Sequence, residues 1–325
     1  MFEWSSLDHV SPDESVLPIN PGRAGSGYNS SDAWDYYHIN SVDKDENGDY
    51  LISARDACSI HKINGSDGSI LWRLGGKRSS FKLEDGVDFC FQHHARFLTH
   101  DEDSVTISLY DNSAHGSESG GGHVVRTART SSGKILKLNT TSMIASLVQA
   151  YYPPDDLLSK SQGSTQVLPT GNVLVNWGSE GAMTEFLPNG TAIFHAYMDS
   201  GDLATGVQNY RAFKYDWTGL PNEEPAIAAY TDGGEVMVYV SWNGDTETKI
   251  WRFYSDEISL GEVARKGFES VFTFNRSTVS EVHAMAVDGT GDVIGTTRPT
   301  IVRPAVYPAV EDASSVMLRI GQQVL

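Results

Sequence analysis

Cysteine, basic side chains and long apolar segments are all scarce in this chain of 325 residues. Its two cysteines, Cys58 and Cys90, do not have the spacing of a zinc site. Lysine and arginine number 24 against 42 aspartates and glutamates, and the formal net charge of −18 argues against nucleic-acid binding, which needs a cationic surface. No segment approaches the roughly 18 consecutive apolar residues that span a bilayer. We therefore expect a globular, soluble protein with no membrane span and no nucleic-acid partner.

The cysteines and the glycosylation sequons bear on where the protein is found. Two states of the cysteines are open: a disulfide in an oxidising compartment, or two buried free thiols. Sequons of the form Asn-x-Ser/Thr mark surface loops in secreted glycoproteins. The five in this chain are at Asn29, Asn64, Asn139, Asn189 and Asn275. No signal peptide is visible at Met1. We therefore expect a protein of the secretory pathway, with a cytoplasmic location as the alternative.

The chain contains an internal repeat. Each copy is a short β-rich strand, a turn and a further strand, and the third copy is weaker than the other two. The copies are Gly48–Ser53 with Asn64–Trp72, Gly171–Asn176 with Pro188–Phe194, and Asp103–Ser108 with Gly133–Leu138. Recurrence of such a unit predicts a radial or stacked β architecture, most plausibly the blades of a β-propeller.

The repeat also predicts where a site lies. Ten residues before the three repeat starts are His38, His93 and Ser161. In a propeller, equivalent positions near the start of the innermost strands meet at the central axis, although they are far apart in sequence. Two histidines and a serine at these positions therefore predict a site in the axial funnel.

Three blades are predicted in the first part of the chain, because turn signals separate their β-rich runs. The blades are residues 35–80, 90–152 and 160–198. A segment rich in glycine, serine and threonine, His115–Ser132, interrupts the second blade, with Gly120-Gly121-Gly122 at its centre. Two interpretations of this segment are open: a flap that wraps a ligand at one mouth of the propeller, or a disordered loop.

The pattern changes near Pro225, where strands with alternating polarity follow one another after short turns. They are Val236–Trp242, Lys249–Tyr254, Ser270–Phe274 and Val282–Val287. Their spacing fits a small β-sandwich resembling a fibronectin type III module. Helix signals are nearly absent, so the fold class is all-β. The predicted domains are residues 1–222 as propeller blades, 223–300 as the sandwich, and 301–325 as a C-terminal tail.

Several segments, in order along the chain, resemble the fungal arylsulfotransferase-like family. They are Phe2–Val10, Asp35–Val42, Trp72–Gly76, Gln92–Arg96, Tyr110–Asn112, Tyr210–Phe213 and Val240–Gly244. The resemblance implies a six-bladed propeller. It also implies an enzyme related to bacterial proteins that move a sulfuryl group between phenols through a transiently sulfated histidine. That chemistry uses no PAPS, and we expect no metal.

The chain departs from the pattern of this family in four places. Members usually carry a preceding pair of blades. A second copy or another polypeptide then supplies these blades here, or the propeller closes with fewer. His94 stands where the common pattern has aspartate, and Ser161 occupies the third axial position in place of histidine. Ser132 falls where the anion-binding arginine is expected, with Arg126 and Arg129 as substitutes.

The candidate site follows from the axial positions and the resemblance. An imidazole is a good nucleophile and base at neutral pH, so His38 and His93 are the predicted catalytic residues. The predicted substrate-binding residues are His94, Asp111, Asn112, Arg129, Ser161, Arg211, Tyr36 and Tyr37. For the two tyrosines, packing in the core is the alternative role.

The predicted function is that of an enzyme acting on a small aromatic, phenolic or polyketide-like molecule in secondary metabolism. Its reaction is sulfuryl transfer or a repurposed one, such as cyclisation, isomerisation or another group transfer. A non-catalytic propeller that binds a ligand or serves as a scaffold is the alternative. An adhesion module, suggested by the sandwich and the sequons, is a third reading.

Overall fold

Antiparallel strands form nearly all the regular structure of the chain. The computed structural model describes residues 2–19, 27–116, 124–199, 206–275 and 279–305. The helical elements in these ranges are single 3₁₀ turns at Ser6–Asp8, Pro12–Glu14 and Gly178–Glu180. None of the helices described is long and apolar enough to cross a membrane. The prediction of an all-β chain is confirmed.

The chain divides into two compact units, Met1–Tyr215 and Asp216–Leu325. The boundary predicted from the sequence lies slightly further along, after residue 222. The glycine run predicted as a flap or loop, Gly120–Gly122, lies outside the described residues, as does most of the predicted C-terminal tail.

The first sheet occupies the first predicted blade. Its strands are β1 (Ile39–Lys44), β2 (Tyr50–Ala54), β3 (Ser59–Ile63) and β4 (Ile70–Gly75). They pair in sequence order, and each pair is antiparallel. Gly65, in the turn after β3, lies so close to the turn after β1 that a Cβ atom would sit 1.9 Å from the Gly48 carbonyl oxygen. Glycine at this position lets the two turns pack together.

The second sheet combines the strands of the second predicted blade with a short strand that lies before residue 90. Its strands are β5 (Lys82–Leu83), β6 (His93–His100), β7 (Ser104–Asp111), β10 (Ser132–Asn139) and β11 (Ile144–Tyr151), in the order β5-β11-β10-β7-β6. A separate two-stranded ribbon, β8 (Ala114–His115) with β9 (Val125–Arg126), comes between β7 and β10 in the chain.

The third sheet occupies the third predicted blade. Its strands are β12 (Ser164–Val167), β13 (Val173–Asn176), β14 (Ala182–Phe186) and β15 (Ala192–Tyr197), paired in sequence order. All three sheets of this unit are open along the described strands.

Apolar residues of neighbouring sheets form shared cores in the first unit. Leu51 and Ile60 of the first sheet belong to the same buried cluster as Ile107 of the second. A further cluster joins Tyr110 of the second sheet to Val175 of the third. Successive side chains of a strand point to opposite faces of its sheet. Both faces of these sheets can therefore contribute apolar residues to the shared cores.

Polar contacts fix the first sheet against the second, close to the predicted axis. The Gln92 amide, which is fully buried, donates to the carbonyl oxygens of Ala54 and Ser59 at 3.2 and 2.9 Å. Asn40 Nδ2 donates to the Gln92 carbonyl oxygen at 2.6 Å. Cys58 and Cys90 form a disulfide between the same regions. Of the two cysteine states left open by the sequence, the structure has the paired one.

Two sheets share one core in the second unit. The strands are β16 (Ala226–Asp232), β17 (Glu235–Ser241), β18 (Ile250–Ser255), β19 (Ile258–Ala264), β20 (Glu269–Asn275), β21 (Glu281–Val287), β22 (Val293–Thr296), β23 (Thr300–Ile301) and β24 (Arg303–Pro304). One sheet has the order β20-β17-β16-β24 and the other β19-β18-β21-β22, with β23 beside β21. Val238 of the first sheet and Trp251 and Phe253 of the second belong to the same buried cluster.

Candidate functional site

A cleft of about 420 Å³ in the first unit brings together the three predicted axial residues. Its lining is formed by His38, Arg55, His93, His115, Gly116, Ser161, Gln162 and Tyr210. His38 precedes β1, His93 begins β6 and Ser161 precedes β12, as the repeat register predicts. The three residues converge because the beginnings of these three strands border the same cleft.

His38 lies immediately before β1 and is the most accessible of the three, with 40% of its side chain exposed. Its φ angle of 54° is rare for a residue other than glycine, and its carbonyl oxygen accepts a hydrogen bond from the Arg55 backbone N–H at 3.0 Å. Its ring Nδ1 contacts the Asp35 carboxylate. This hydrogen bond holds the pKa of the Asp35 carboxyl below its usual range. The second ring nitrogen, Nε2, is therefore the atom of His38 that remains for a ligand.

His93, the first residue of β6, is buried and has partners at both ring nitrogens. Nδ1 lies 2.7 Å from Asn112 Oδ1, and Nε2 accepts the Gln162 backbone N–H at 3.3 Å. Asn112 Nδ2 donates to the carbonyl oxygens of Ser159 and Gln162, so its Oδ1 faces His93 as the acceptor. Burial, followed by the positive charge of Arg55, lowers the pKa of His93 to about 3. His93 is thus a neutral imidazole with Nδ1 protonated, and it supports the segment that carries Ser161.

The buried state of His93 predicts acid sensitivity of the fold. The unfolded chain binds a proton at His93 below about pH 6.5, whereas the folded chain resists it down to about pH 3. Because only the unfolded chain gains this proton, the free energy of unfolding decreases as the pH falls through this window, by about 2 kcal/mol at pH 5. Urea unfolding at pH 7.5 and pH 5 measures the loss. His93→Gln should reduce the difference between the two pH values, and an unchanged difference would contradict the assignment.

Ser161 brings an unused hydroxyl to the cleft. The residue is 7% exposed, and its Oγ has no hydrogen-bond partner among the described residues. Its carbonyl oxygen accepts from Ser159 Oγ at 2.7 Å and from the Ser179 N–H at 3.1 Å, so its backbone is fixed. Nearby, Gly163 has a φ of 106°, and a Cβ there would meet the Tyr110 ring at 2.2 Å. A buried hydroxyl without a partner calls for an explanation, and a ligand that hydrogen-bonds to it provides one.

Arg55 is the cleft residue that sequence reasoning missed. It follows β2 and is 5% exposed, and its guanidinium donates to Asp56 Oδ1 at 3.0 Å and to the Lys160 carbonyl oxygen at 2.9 Å. The guanidinium carbon also lies 5.7 Å from the centre of the Phe91 ring. An Arg-Asp pair directly after β2 (Tyr50–Ala54) is the sequence signal that points to it. A planar guanidinium at a cleft suits an anionic group.

Three of the predicted substrate-binding residues are part of the packed interior and do not line the cleft. His94 is buried, with Nδ1 accepting the Thr165 N–H at 3.3 Å, and burial lowers its pKa to about 3. Tyr36 and Tyr37 belong to a buried cluster beneath the first sheet. The Tyr37 hydroxyl lies 2.7 Å from Nδ1 of the buried His61. The structure gives the two tyrosines the alternative role, core packing.

The remaining predicted binding residues also lie outside the lining. Asp111 accepts the Cys90 N–H at 3.1 Å and pairs with Lys134 at 3.0 Å. Arg129 is exposed and pairs with Asp156 at 2.5 Å. Arg211 donates to the Asn40 carbonyl oxygen at 2.6 Å, although its neighbour Tyr210 does line the cleft. Asn112 does not line the cleft but accepts a hydrogen bond from Nδ1 of His93. A second cleft of about 430 Å³ includes Asp111, Arg129 and Ser132 in its lining.

One group in the described part of the chain has the composition of a metal site. Asp35, His38 and Asp56 each offer a ligand-type atom, and these atoms lie within 4.8 Å of one another. Each already has a protein partner, however. Nδ1 of His38 is paired with Asp35, and Asp56 is paired with the Arg55 guanidinium. The Arg55 guanidinium therefore supplies positive charge beside this group.

The chain has distant similarity to several solved structures. It is similar to a protein of unknown function from Bacteroides caccae, at 13% identity and a TM-score of 0.32 over 80% of this chain and 81% of that one. It is also similar to PQQ-bound aldose sugar dehydrogenase from Streptomyces coelicolor, at 10% identity and a TM-score of 0.31 over 88% of this chain and 84% of that one. For virginiamycin B lyase from Staphylococcus aureus the identity is 9% and the TM-score 0.29, over 83% of this chain and 75% of that one. These similarities are too distant to carry an argument.

Comparison with sequences gives a more specific result. No curated protein matches the chain. A protein-family model described as arylsulfotransferase (ASST) matches residues 1–199. The matched range contains all three axial residues and Arg55. It covers more than half of the 325 residues, and the chain therefore belongs to the arylsulfotransferase family.

Proposed function

We propose that this protein transfers a sulfuryl group, or a related group, to or from a small aromatic molecule bound in the cleft. One observation carries the proposal: within the family domain, an accessible histidine and a buried arginine line the same cleft. In this proposal His38 is the reacting group, and Arg55 binds the anionic part of the substrate. Ser161 Oγ donates a hydrogen bond to that substrate.

The proposed reaction has two halves. His38 Nε2 attacks the sulfur of an aryl sulfate, the bond between sulfur and the aryl oxygen breaks, and the phenolate leaves. In the second half an acceptor phenol gives its proton to water, its oxygen attacks the same sulfur, and the bond between sulfur and Nε2 breaks, which frees His38. The charge of Arg55 stabilises the sulfate oxygens in both halves, because a buried guanidinium binds oxyanions with directed, charge-assisted hydrogen bonds. Neither PAPS nor a metal enters this scheme.

Repurposed chemistry and simple binding are the competing proposals. Ser161 at the third axial position favours a repurposed reaction such as cyclisation, isomerisation or another group transfer, because a hydroxyl with no base bonded to it is a weak nucleophile. Both ring nitrogens of His93 are engaged, which favours a non-catalytic ligand-binding or scaffold protein. The family resemblance supports an aromatic or polyketide-like ligand, a fungal source and a role in secondary metabolism as further parts of the proposal.

We propose that a six-bladed ring is completed by a second copy of the chain or by another polypeptide. The apolar outer strand β15 supports this, since Ile193 and Phe194 are each 50% exposed on it. For the second unit we propose a fibronectin type III-like module. Its support is the division of consecutive strands between two sheets that share a core. Light scattering on the purified protein measures whether two copies associate.

We propose that the protein is a secreted glycoprotein. The Cys58–Cys90 disulfide supports an oxidising compartment, where such bonds persist. The sequon asparagines Asn29 and Asn189 are exposed and would accept a glycan without rearrangement of the fold. A shift in gel mobility after enzymatic deglycosylation of protein from its native host tests this part.

Intact mass spectrometry after incubation with 4-nitrophenyl sulfate tests the proposed reaction. We expect a gain of one sulfuryl group, release of 4-nitrophenol, and loss of the added mass when a phenol is supplied. His38→Ala should show no adduct, and its release of 4-nitrophenol should be strongly reduced. Absence of both in the unmodified protein would contradict sulfuryl transfer. In that case, thermal-shift measurements with aromatic polyketides test binding: a raised thermal midpoint would show that the protein binds such molecules, and an unchanged midpoint that it does not.

A further inference from the structure

His38 has a partner that the proposed function does not yet use, the carboxylate of Asp35. A neutral imidazole carries its proton on one of two nitrogens, and only the other nitrogen can act as a nucleophile or base. We propose that Asp35 is a positioning residue that holds the proton of His38 on Nδ1, so that Nε2 is left free to react. The inference rests on the proposed role of His38 and deepens it.

The backbone holds this pair in place. Asp35 and His38 flank Tyr36 and Tyr37, whose rings are buried in the core beneath the first sheet. The Tyr36 hydroxyl donates to the Val10 carbonyl oxygen at 3.3 Å, and the Tyr37 hydroxyl meets His61. Two buried side chains between the carboxylate and the imidazole fix the path of the chain, so the contact between Asp35 and His38 is built into the fold.

A second set of bonds secures the same turn from the neighbouring strand. The backbone N–H of Arg55 donates to the His38 carbonyl oxygen at 3.0 Å, and that of Asp56 donates to the Tyr37 carbonyl oxygen at 3.3 Å. The turn therefore keeps His38 at its positive φ, in the cleft and within reach of Asp35.

The charges around the pair decide which atom carries the proton. The hydrogen bond from His38 lowers the pKa of Asp35, and Arg55 acts in the same direction. Asp35 is therefore ionised at neutral pH, and an ionised carboxylate is only an acceptor. An acceptor facing Nδ1 requires the proton on Nδ1. Asp56 lies close by, but its carboxylate is engaged by the Arg55 guanidinium.

Comparison with His93 shows what the carboxylate adds. His93 also carries its proton on Nδ1, but its partner there is the uncharged amide of Asn112. Its Nε2 already accepts a hydrogen bond from Gln162, whereas Nε2 of His38 has no such partner among the described residues. An ionised carboxylate can only accept a hydrogen bond, so it fixes the proton on Nδ1, whereas an amide can turn either its oxygen or its N–H₂ group towards the ring. His38 and His93 are thus chemically different, and of these two Asp35 makes His38 the reactive one.

Two variants test the inference, each with a readout that does not depend on turnover. In ¹⁵N-labelled protein at neutral pH, the ring nitrogen shifts of His38 should show the Nδ1–H tautomer. Asp35→Ala should give a mixture of tautomers or the Nε2–H form. Asp35→Asn keeps the shape of the side chain while removing the charge, and it serves if the alanine variant does not fold. The matched control is Asp13→Ala, at an exposed aspartate in a 3₁₀ turn.

The same variants have an expected effect on rate. Loss of a residue that orients a reacting group typically costs about 10- to 100-fold. With 4-nitrophenyl sulfate, kcat should fall by that factor for both Asp35 variants, while KM stays nearly constant, because the anion still binds at Arg55. Unchanged His38 tautomers in both variants would overturn the inference, and so would an unchanged kcat. If the unmodified protein has no turnover, the proposed function fails, and the nitrogen shifts still decide the role of Asp35.

Discussion

Turnover of an aryl sulfate should fall by about 10²- to 10⁴-fold when His38 is replaced by alanine. The substitution removes the accessible ring nitrogen of His38, whose Nδ1 is paired with Asp35, whereas both ring nitrogens of His93 are engaged by protein groups. Arg55 and Ser161 remain to bind the substrate, so the loss should appear in kcat more than in KM. Initial rates of 4-nitrophenol release over a range of substrate concentrations give both constants.

The fold should survive this change. The His38 side chain is 40% exposed, and its hydrogen bond goes to a partly exposed carboxylate, so alanine leaves no buried group without a partner. His9→Ala is the matched control, since His9 is exposed and stacks on Trp4 at 5.1 Å, away from the cleft lining. A large fall in the thermal midpoint of His38→Ala would show a structural role. Retained turnover in His38→Ala, with turnover lost in a stable His93→Ala, would make His93 the reacting group.

The sequence predicted that His38, His93 and Ser161 lie together, because this juxtaposition depends on register alone. A repeat places equivalent residues at equivalent points of successive sheets, and the starts of β1, β6 and β12 lie beside His38, His93 and Ser161. The all-β class followed from the β-rich runs and the near absence of helix signals. Neither result needs knowledge of which side chains touch, which explains why a single sequence was enough for them.

The contacts within the cleft could not be predicted in this way. Arg55 follows the end of β2, whereas the repeat register identifies only residues near the starts of strands, so it could not predict Arg55 in the lining. Tyr36 and Tyr37 are neighbours of His38 in sequence, yet both rings point into the core. The state of the cysteines was open for a similar reason, because a sequence separation of 32 does not fix the distance between two Cα atoms.

Loss of the disulfide should lower the free energy of unfolding by about 3 to 4 kcal/mol. A crosslink that closes a loop of this length restricts the unfolded chain by about that amount in the chain-entropy model. The test is urea unfolding of Cys58→Ser/Cys90→Ser beside the unmodified protein. A reducing agent should destabilise the unmodified protein by a similar amount and leave the double variant unaffected. Equal stabilities of the two proteins under oxidising conditions would contradict the prediction.

The crosslink should also affect the cleft, because each cysteine is close in sequence to a residue that lines it. Cys58 follows the turn that carries Arg55, and Cys90 comes just before Phe91 and His93. The guanidinium of Arg55 lies over the Phe91 ring, so the disulfide joins the two segments whose contact holds the cation in place. The double variant, measured well below its unfolding midpoint, should therefore show a raised KM for 4-nitrophenyl sulfate. If KM is unchanged while stability falls, the Arg55 position is fixed by Asp56 and Lys160 alone, and the disulfide serves only the fold.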